Sequence, residues 1–93
     1  MTIYVDQPNW KYKGRWNSCH LVADSTDELE LFALRMAIPL NWIQNKGTWK
    51  EHIDISLSIR AQVLRNGAQS LETRALGQFL RNKKLRLSER PRT

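Results

Sequence analysis

Hydrophobic positions recur along this chain with two different periods. "TIYVD", residues 2–6, is rich in β-branched and aromatic residues and stops at "QPN", the pattern of a strand. "SCHLVA", residues 18–23, reads as a second strand, whose alternation puts His20, Val22 and Asp24 on one face and turns Cys19 toward a core. The period then lengthens. Leu29, Phe32, Ala33 and Met36 fall on one helical stripe, entered through Ser25 as N-cap with Glu28 completing a capping box, and Pro39 stops the helix. Ser56 caps a second helix over about 57–66, with Ile59, Val63 and Leu64 inward and Gly67 as its stop. "AQSL", 68–71, predicts a short third strand, and Leu76, Phe79 and Leu80 predict a third helix over about 72–82. Residues 7–17 and 40–51 read as polar connectors. The expected order is β-β-α-α-β-α, an α/β domain with a short three-stranded sheet flanked by three helices. An α+β layout is the alternative, since such a pattern leaves strand directions open.

Ninety-three residues suffice for one modest core. We expect one domain over residues 1–82, followed by a basic tail over 83–93. A single cysteine excludes an internal disulfide and fits a reducing compartment. "MTIYVDQP" lacks the basic and apolar regions of a signal peptide, and no window approaches the roughly 20 apolar residues that span a bilayer. A soluble, cytoplasmic protein without membrane contact is the expectation.

Charge changes the picture. Residues 1–44 carry four basic and five acidic groups, a balance of −1, while residues 45–93 carry eleven basic and four acidic groups, a balance of +7. Much of the excess lies in "RNKKLRLSERPRT", where Lys83, Lys84, Arg86, Arg90 and Arg92 are the candidate nucleic-acid contacts. The competing reading is a solvated terminus. "WKYKGRW" interleaves Trp10, Tyr12 and Trp16 with basic residues, which suits stacking on single strands. Covering the rim of a small core is the favoured role for Trp10 and Trp16.

Both histidines stand near carboxylates, His20 four positions before Asp24 and His52 two positions before Asp54. Asp6 closes the first strand, Asp24 closes the second, and His52 and Asp54 precede the second helix on one side of an extended segment. Two imidazoles and three carboxylates match a divalent-metal site or a general acid–base pair. Local capping of the two helices by Asp24 and Asp54 is the structural alternative.

Taken in order, "TIYVD", "CHLVADSTDELELFA", the His-x-Asp of "HIDIS" with Arg60, "NGA" at 66–68 and "ETRALGQFLRNKKLRL" resemble a family of small bacterial and phage proteins catalogued as a domain of unknown function. The resemblance runs over nearly the whole chain. It implies that Asp6, Trp10, His20, Asp24, Glu28, His52, Asp54, Arg60, Gly67 and Arg74 occupy the family's motif positions. Two positions depart from the pattern: Ile53 stands where a tyrosine is typical between the histidine and aspartate, and Glu30 where a histidine is frequent.

The expected function is action on nucleic acid or a nucleotide, in its most concrete form metal-dependent phosphodiester hydrolysis. Asp6, Asp24 and Asp54 would bind Mg²⁺ or Mn²⁺, His20 or His52 would move the proton, and Arg60 would neutralise phosphate. The alternative is a non-catalytic accessory protein that binds nucleic acid or inhibits a protein partner. Oligomeric state is open.

Overall fold

The computed structural model describes residues 2–8, 10–12 and 16–88. Its elements are β1 (Ile3–Asp6), β2 (Trp10–Tyr12), β3 (Trp16–Ala23), α1 (Thr26–Arg35), β4 (Ile43–Gln44), β5 (His52–Ser56), α2 (Leu57–Arg65), β6 (Gln69–Leu71) and α3 (Thr73–Ser88), with a 3₁₀ turn at Leu40–Trp42.

The main sheet runs β4-β5-β3-β1-β6, antiparallel except for the β1–β6 pair, and β2 joins it on β3. Ser18 pairs with both Trp10 and Ser56, and Leu21 with both Val5 and Ile53, so β1 and β2 share one edge of β3 while β5 takes the other. They form a single strand interrupted after Asp6, where Pro8 has no N–H to give the ladder. Counted so, the sheet has five strands and the order is β-β-α-β-β-α-β-α.

This corrects the expected three strands. The addition is the hairpin β4–β5 together with the β2 extension. "HIDIS" is a full strand, with Ile53 and Ile55 buried and His52, Asp54 and Ser56 on the opposite face. The first half of the connector at 40–51 supplies β4, which pairs Ile43 with Ile53 and Gln44 with His52.

Alternation gives the sheet two unlike faces. Ile3, Val5, Cys19, Leu21, Ala23, Ile53 and Ile55 point into a core closed by Leu29, Phe32 and Ala33 of α1 and by Val63 of α2. Fully burying side chains of this size stabilises by roughly 1.5–3 kcal/mol each. The caps form as expected: Ser25 Oγ accepts from Glu28 N at 3.2 Å and Ser56 Oγ from Ile59 N at 3.3 Å. The Glu28 carboxylate accepts instead from Thr2 Oγ1 at 2.6 Å, tying the start of α1 to the start of β1. Gly67, at φ +105°, supplies the left-handed turn that ends α2.

The other face is covered by α3. Phe79 meets Tyr4 edge-on at 5.1 Å between ring centroids, and Leu76 and Leu80 lie alongside Val22. The helix continues through Ser88, past the expected boundary at 82. Lys83 falls one turn beyond Leu80 on the inward side and is buried. Among the described residues, no helix is long and apolar enough to cross a membrane.

Candidate metal centre

Three polar residues lie abreast across β1, β3 and β5 on the face that α3 covers. His20 pairs with Asp54 in the β3–β5 register, and Asp6 follows the Val5–Leu21 pair that joins β1 to β3. The interruption after Asp6 ends the β1 ladder at this point. The Asp6 side chain fills the gap, its Oδ1 accepting from the backbone N–H of His20 at 2.6 Å and its Oδ2 lying 2.7 Å from Nδ1 of the same residue. Asp6 is 2% exposed, so both bonds are sheltered.

The partners determine the imidazole tautomers. A carboxylate only accepts, so Nδ1 of His20 carries the proton. Nδ1 of His52 lies 2.7 Å from the backbone oxygen of Lys50, which requires a proton there too. Both Nε2 atoms turn toward the same Asp54 oxygen, Oδ1, at 3.7 Å from His20 and 3.5 Å from His52. The rings meet edge-on, 5.3 Å apart between centroids. Gln44 donates to the other Asp54 oxygen at 2.8 Å, fixing the carboxylate from β4.

One ligand atom from each of His20, His52 and Asp54 lies within 4.8 Å of the other two. Ligands about 2.1 Å from a tetrahedral ion sit about 3.4 Å apart, so a small contraction would close this trio on a metal. Each member of the trio has an outer partner holding it: a carboxylate for His20, a main-chain carbonyl for His52 and an amide for Asp54. Metal-binding histidines characteristically show such support. The hydrogen bond that His20 donates to Asp6 raises the His20 pKa above its usual 6.5; burial opposes the shift, and the charges of Asp6 and Asp54 add to it.

Of the five polar residues singled out in the sequence, four converge and Asp24 does not. β3 runs antiparallel to β1, so Asp24 sits past the far end of β3, four residues from His20 and roughly 13 Å along the strand. Its carbonyl accepts from Arg86 at 2.8 Å. Asp6 supports His20 and is outside the trio. Arg60 is a clasp: its Nε donates to the Asp6 carbonyl and its terminal nitrogen to Ser70 Oγ, both at 3.0 Å, joining α2 to the ends of β1 and β6.

The basic residues divide similarly. Lys83, expected to meet phosphate, is 3% exposed and donates to the Ala23 carbonyl at 2.8 Å, with Glu51 Oε1 3.5 Å away. Burial lowers its pKa, against the pull of Glu51. Lys84 is exposed, its ammonium 5.0 Å from the centre of the Trp49 ring. Arg90 and Arg92 lie outside the described residues, as do Lys13 and Arg15 of the aromatic–basic segment.

Sequence reasoning missed Glu51. It is fully buried, and its Oε2 accepts from Thr26 Oγ1 at 2.6 Å and from Gly47 N at 2.8 Å. It thereby ties the 45–51 turn to α1 and, through Lys83, to α3. The same turn brings Asn45 and Lys50 to a cleft of about 250 Å³ that Val22, Leu76, Leu80, His20 and His52 also line.

No match was found among curated proteins or among solved structures. A family model described as "Protein of unknown function (DUF4031)" matches residues 3–83, which takes in every strand and helix through most of α3 and all four converging polar residues. The chain belongs to this family.

Proposed function

We propose that the protein is a divalent-metal-dependent phosphodiesterase acting on nucleic acid or a nucleotide, with the ion held by Nε2 of His20, Nε2 of His52 and the Asp54 carboxylate. The observation that carries this reading is the anchoring of both imidazoles at Nδ1 while both Nε2 atoms face one carboxylate oxygen. A structural pair of histidines has no need of such convergence. Two imidazoles with one carboxylate favour Mn²⁺, Fe²⁺ or Zn²⁺, whereas Mg²⁺ prefers an all-oxygen shell. Relative to the assignment from sequence, the histidines become ligands, Asp6 becomes the residue that orients His20, and Arg60 holds the Asp6 backbone.

An ion held by His20, His52 and Asp54 would supply a metal-activated water as nucleophile near neutral pH and would polarise a phosphoryl oxygen. Asp6 keeps the His20 proton on Nδ1 and so keeps Nε2 available as a donor of electrons. The Lys50 carbonyl does the same for His52, and Gln44 stops the Asp54 carboxylate from rotating. The excess of basic groups over residues 45–93, with Lys50 at the cleft, favours an anionic substrate.

Thermal melting with Mn²⁺ or Zn²⁺, followed by an assay on single-stranded DNA and on a nucleotide diester, tests this reading. A stabilisation of about 2.7 kcal/mol is expected at a hundredfold excess over Kd, a rise of roughly 10–20 °C for a domain of this size. His52→Ala abolishes it together with hydrolysis. Metal binding without hydrolysis of either substrate supports the accessory-protein reading, and no metal response defeats the proposal.

A further inference from the structure

The cleft beside the imidazoles has a composition that the metal trio does not account for. We propose that it receives one nucleoside phosphate, the base against Val22, Leu76 and Leu80 and the phosphate between the ion and Lys50. This deepens the metal reading and rests on it for the phosphate end.

Size argues for a single base. About 250 Å³ falls below the roughly 300–1,000 Å³ of pockets that take drug-sized ligands, and a duplex cannot place a stacked base pair in it. Leu76 and Leu80 stand one turn apart on α3 and form an aliphatic strip opposite Val22, a wall suited to the face of a flat ring. Asn45 lines the same space, and its side-chain amide is able both to donate and to accept, as the edge of a base requires.

Charge argues for the anion. The ammonium groups of Lys50 and Lys84 both lie over the Trp49 ring, 5.2 and 5.0 Å from its centre. Two cationic groups gathered at one aromatic side chain raise the local positive potential, which attracts an anion. Lys50 also lines the cleft, and its carbonyl accepts from His52, so one residue joins the cationic side of the cleft to a candidate ligand. The nucleotide could be free or the unstacked end of a single strand; the chemistry is shared.

Calorimetry on the full chain tests this in two stages. Mn²⁺ is titrated first, and the loaded protein is then titrated with adenosine monophosphate, inorganic phosphate, a ten-residue single strand and the matching duplex. Adenosine monophosphate should bind at least about tenfold more tightly than phosphate, the ring adding apolar burial. Leu80→Ala should weaken the nucleotide by about tenfold and leave Mn²⁺ and phosphate unchanged. Asn45→Gly, at a position with φ of +54° that glycine adopts freely, should weaken the nucleotide alone without disturbing the fold. Tighter binding of the strand than of the mononucleotide assigns the single-strand source, the reverse the free one, and either supports the proposal. Mn²⁺ binding with the nucleotide no tighter than phosphate, or with duplex equal to single strand, overturns it. Absence of Mn²⁺ binding defeats the metal reading instead, and the cleft then stands only if the nucleotide still outbinds phosphate on the metal-free protein.

Discussion

The two faces of the sheet are made by alternate residues of the same strands, yet they are built on opposite principles. Toward α1 and α2, β3 and β5 present Cys19, Leu21, Ile53 and Ile55, all within 2% of complete burial. Toward α3 the same strands present His20, His52 and Asp54, and β1 adds Asp6. The first face gains from apolar area and needs no directionality. The second must satisfy each polar group individually, because a buried donor or acceptor left unpaired costs about 1–3 kcal/mol. Apolar burial is thus concentrated on one side of a single layer, which leaves the other able to hold a cluster of polar groups.

Substitutions should separate the faces. Phe32→Ala, which empties part of the α1 core, is expected to cost about 3–5 kcal/mol in denaturant unfolding. Any metal response per folded molecule should persist. Lys83→Met comes next: it leaves the Glu51 carboxylate buried without its cation, a loss of up to about 3–5 kcal/mol. Adding Glu51→Gln to that variant should restore part of the loss, and simple additivity of the two would show that they are not coupled. Asp6→Asn should cost about 1–3 kcal/mol, since its two bonds to His20 are sheltered.

That third variant also carries a pH signature. In metal-free protein the His20 pKa is raised from 6.5, so its contribution to stability is complete below about pH 6.5 and is lost as pH rises through the raised value. Melting of chelator-treated protein should therefore fall across this window, and the slope should shrink in Asp6→Asn. Asp54→Asn should have the smallest effect on the fold, within about 1 kcal/mol, because its side chain is 48% exposed. It should nevertheless remove the metal response. A stable fold that still responds to metal would place the ion elsewhere.

Much of this arrangement was legible in the residues. Both N-caps, the stripe Leu29–Phe32–Ala33, the inward turn of Cys19 and the shared side of His52 and Asp54 follow from period and capping chemistry alone. Other features depend on partners remote in the chain. "HIDIS" alternates as a strand should, but its neighbour β4 is two residues long inside a polar connector, so the hairpin left little trace. Asp24 was misplaced because the rule that sites gather beyond strand C-termini presumes parallel strands, and β3 runs the other way. Glu51 and Lys83 look like surface residues singly; each is tolerated inside through the other's charge together with hydrogen bonds from Thr26 and Gly47 to Glu51 and from Lys83 to the Ala23 carbonyl.

The central claim is that both imidazoles carry their proton on Nδ1 and offer Nε2 to one ion. Long-range ¹H–¹⁵N correlation spectra read this directly, and the chain has only two histidines to assign. In metal-free protein above the His20 pKa, both rings should show the Nδ1–H tautomer. One equivalent of Zn²⁺ should shift both Nε2 resonances while both Nδ1 protons remain. Either ring in the Nε2–H form, or Nε2 resonances unmoved by Zn²⁺, would contradict the account.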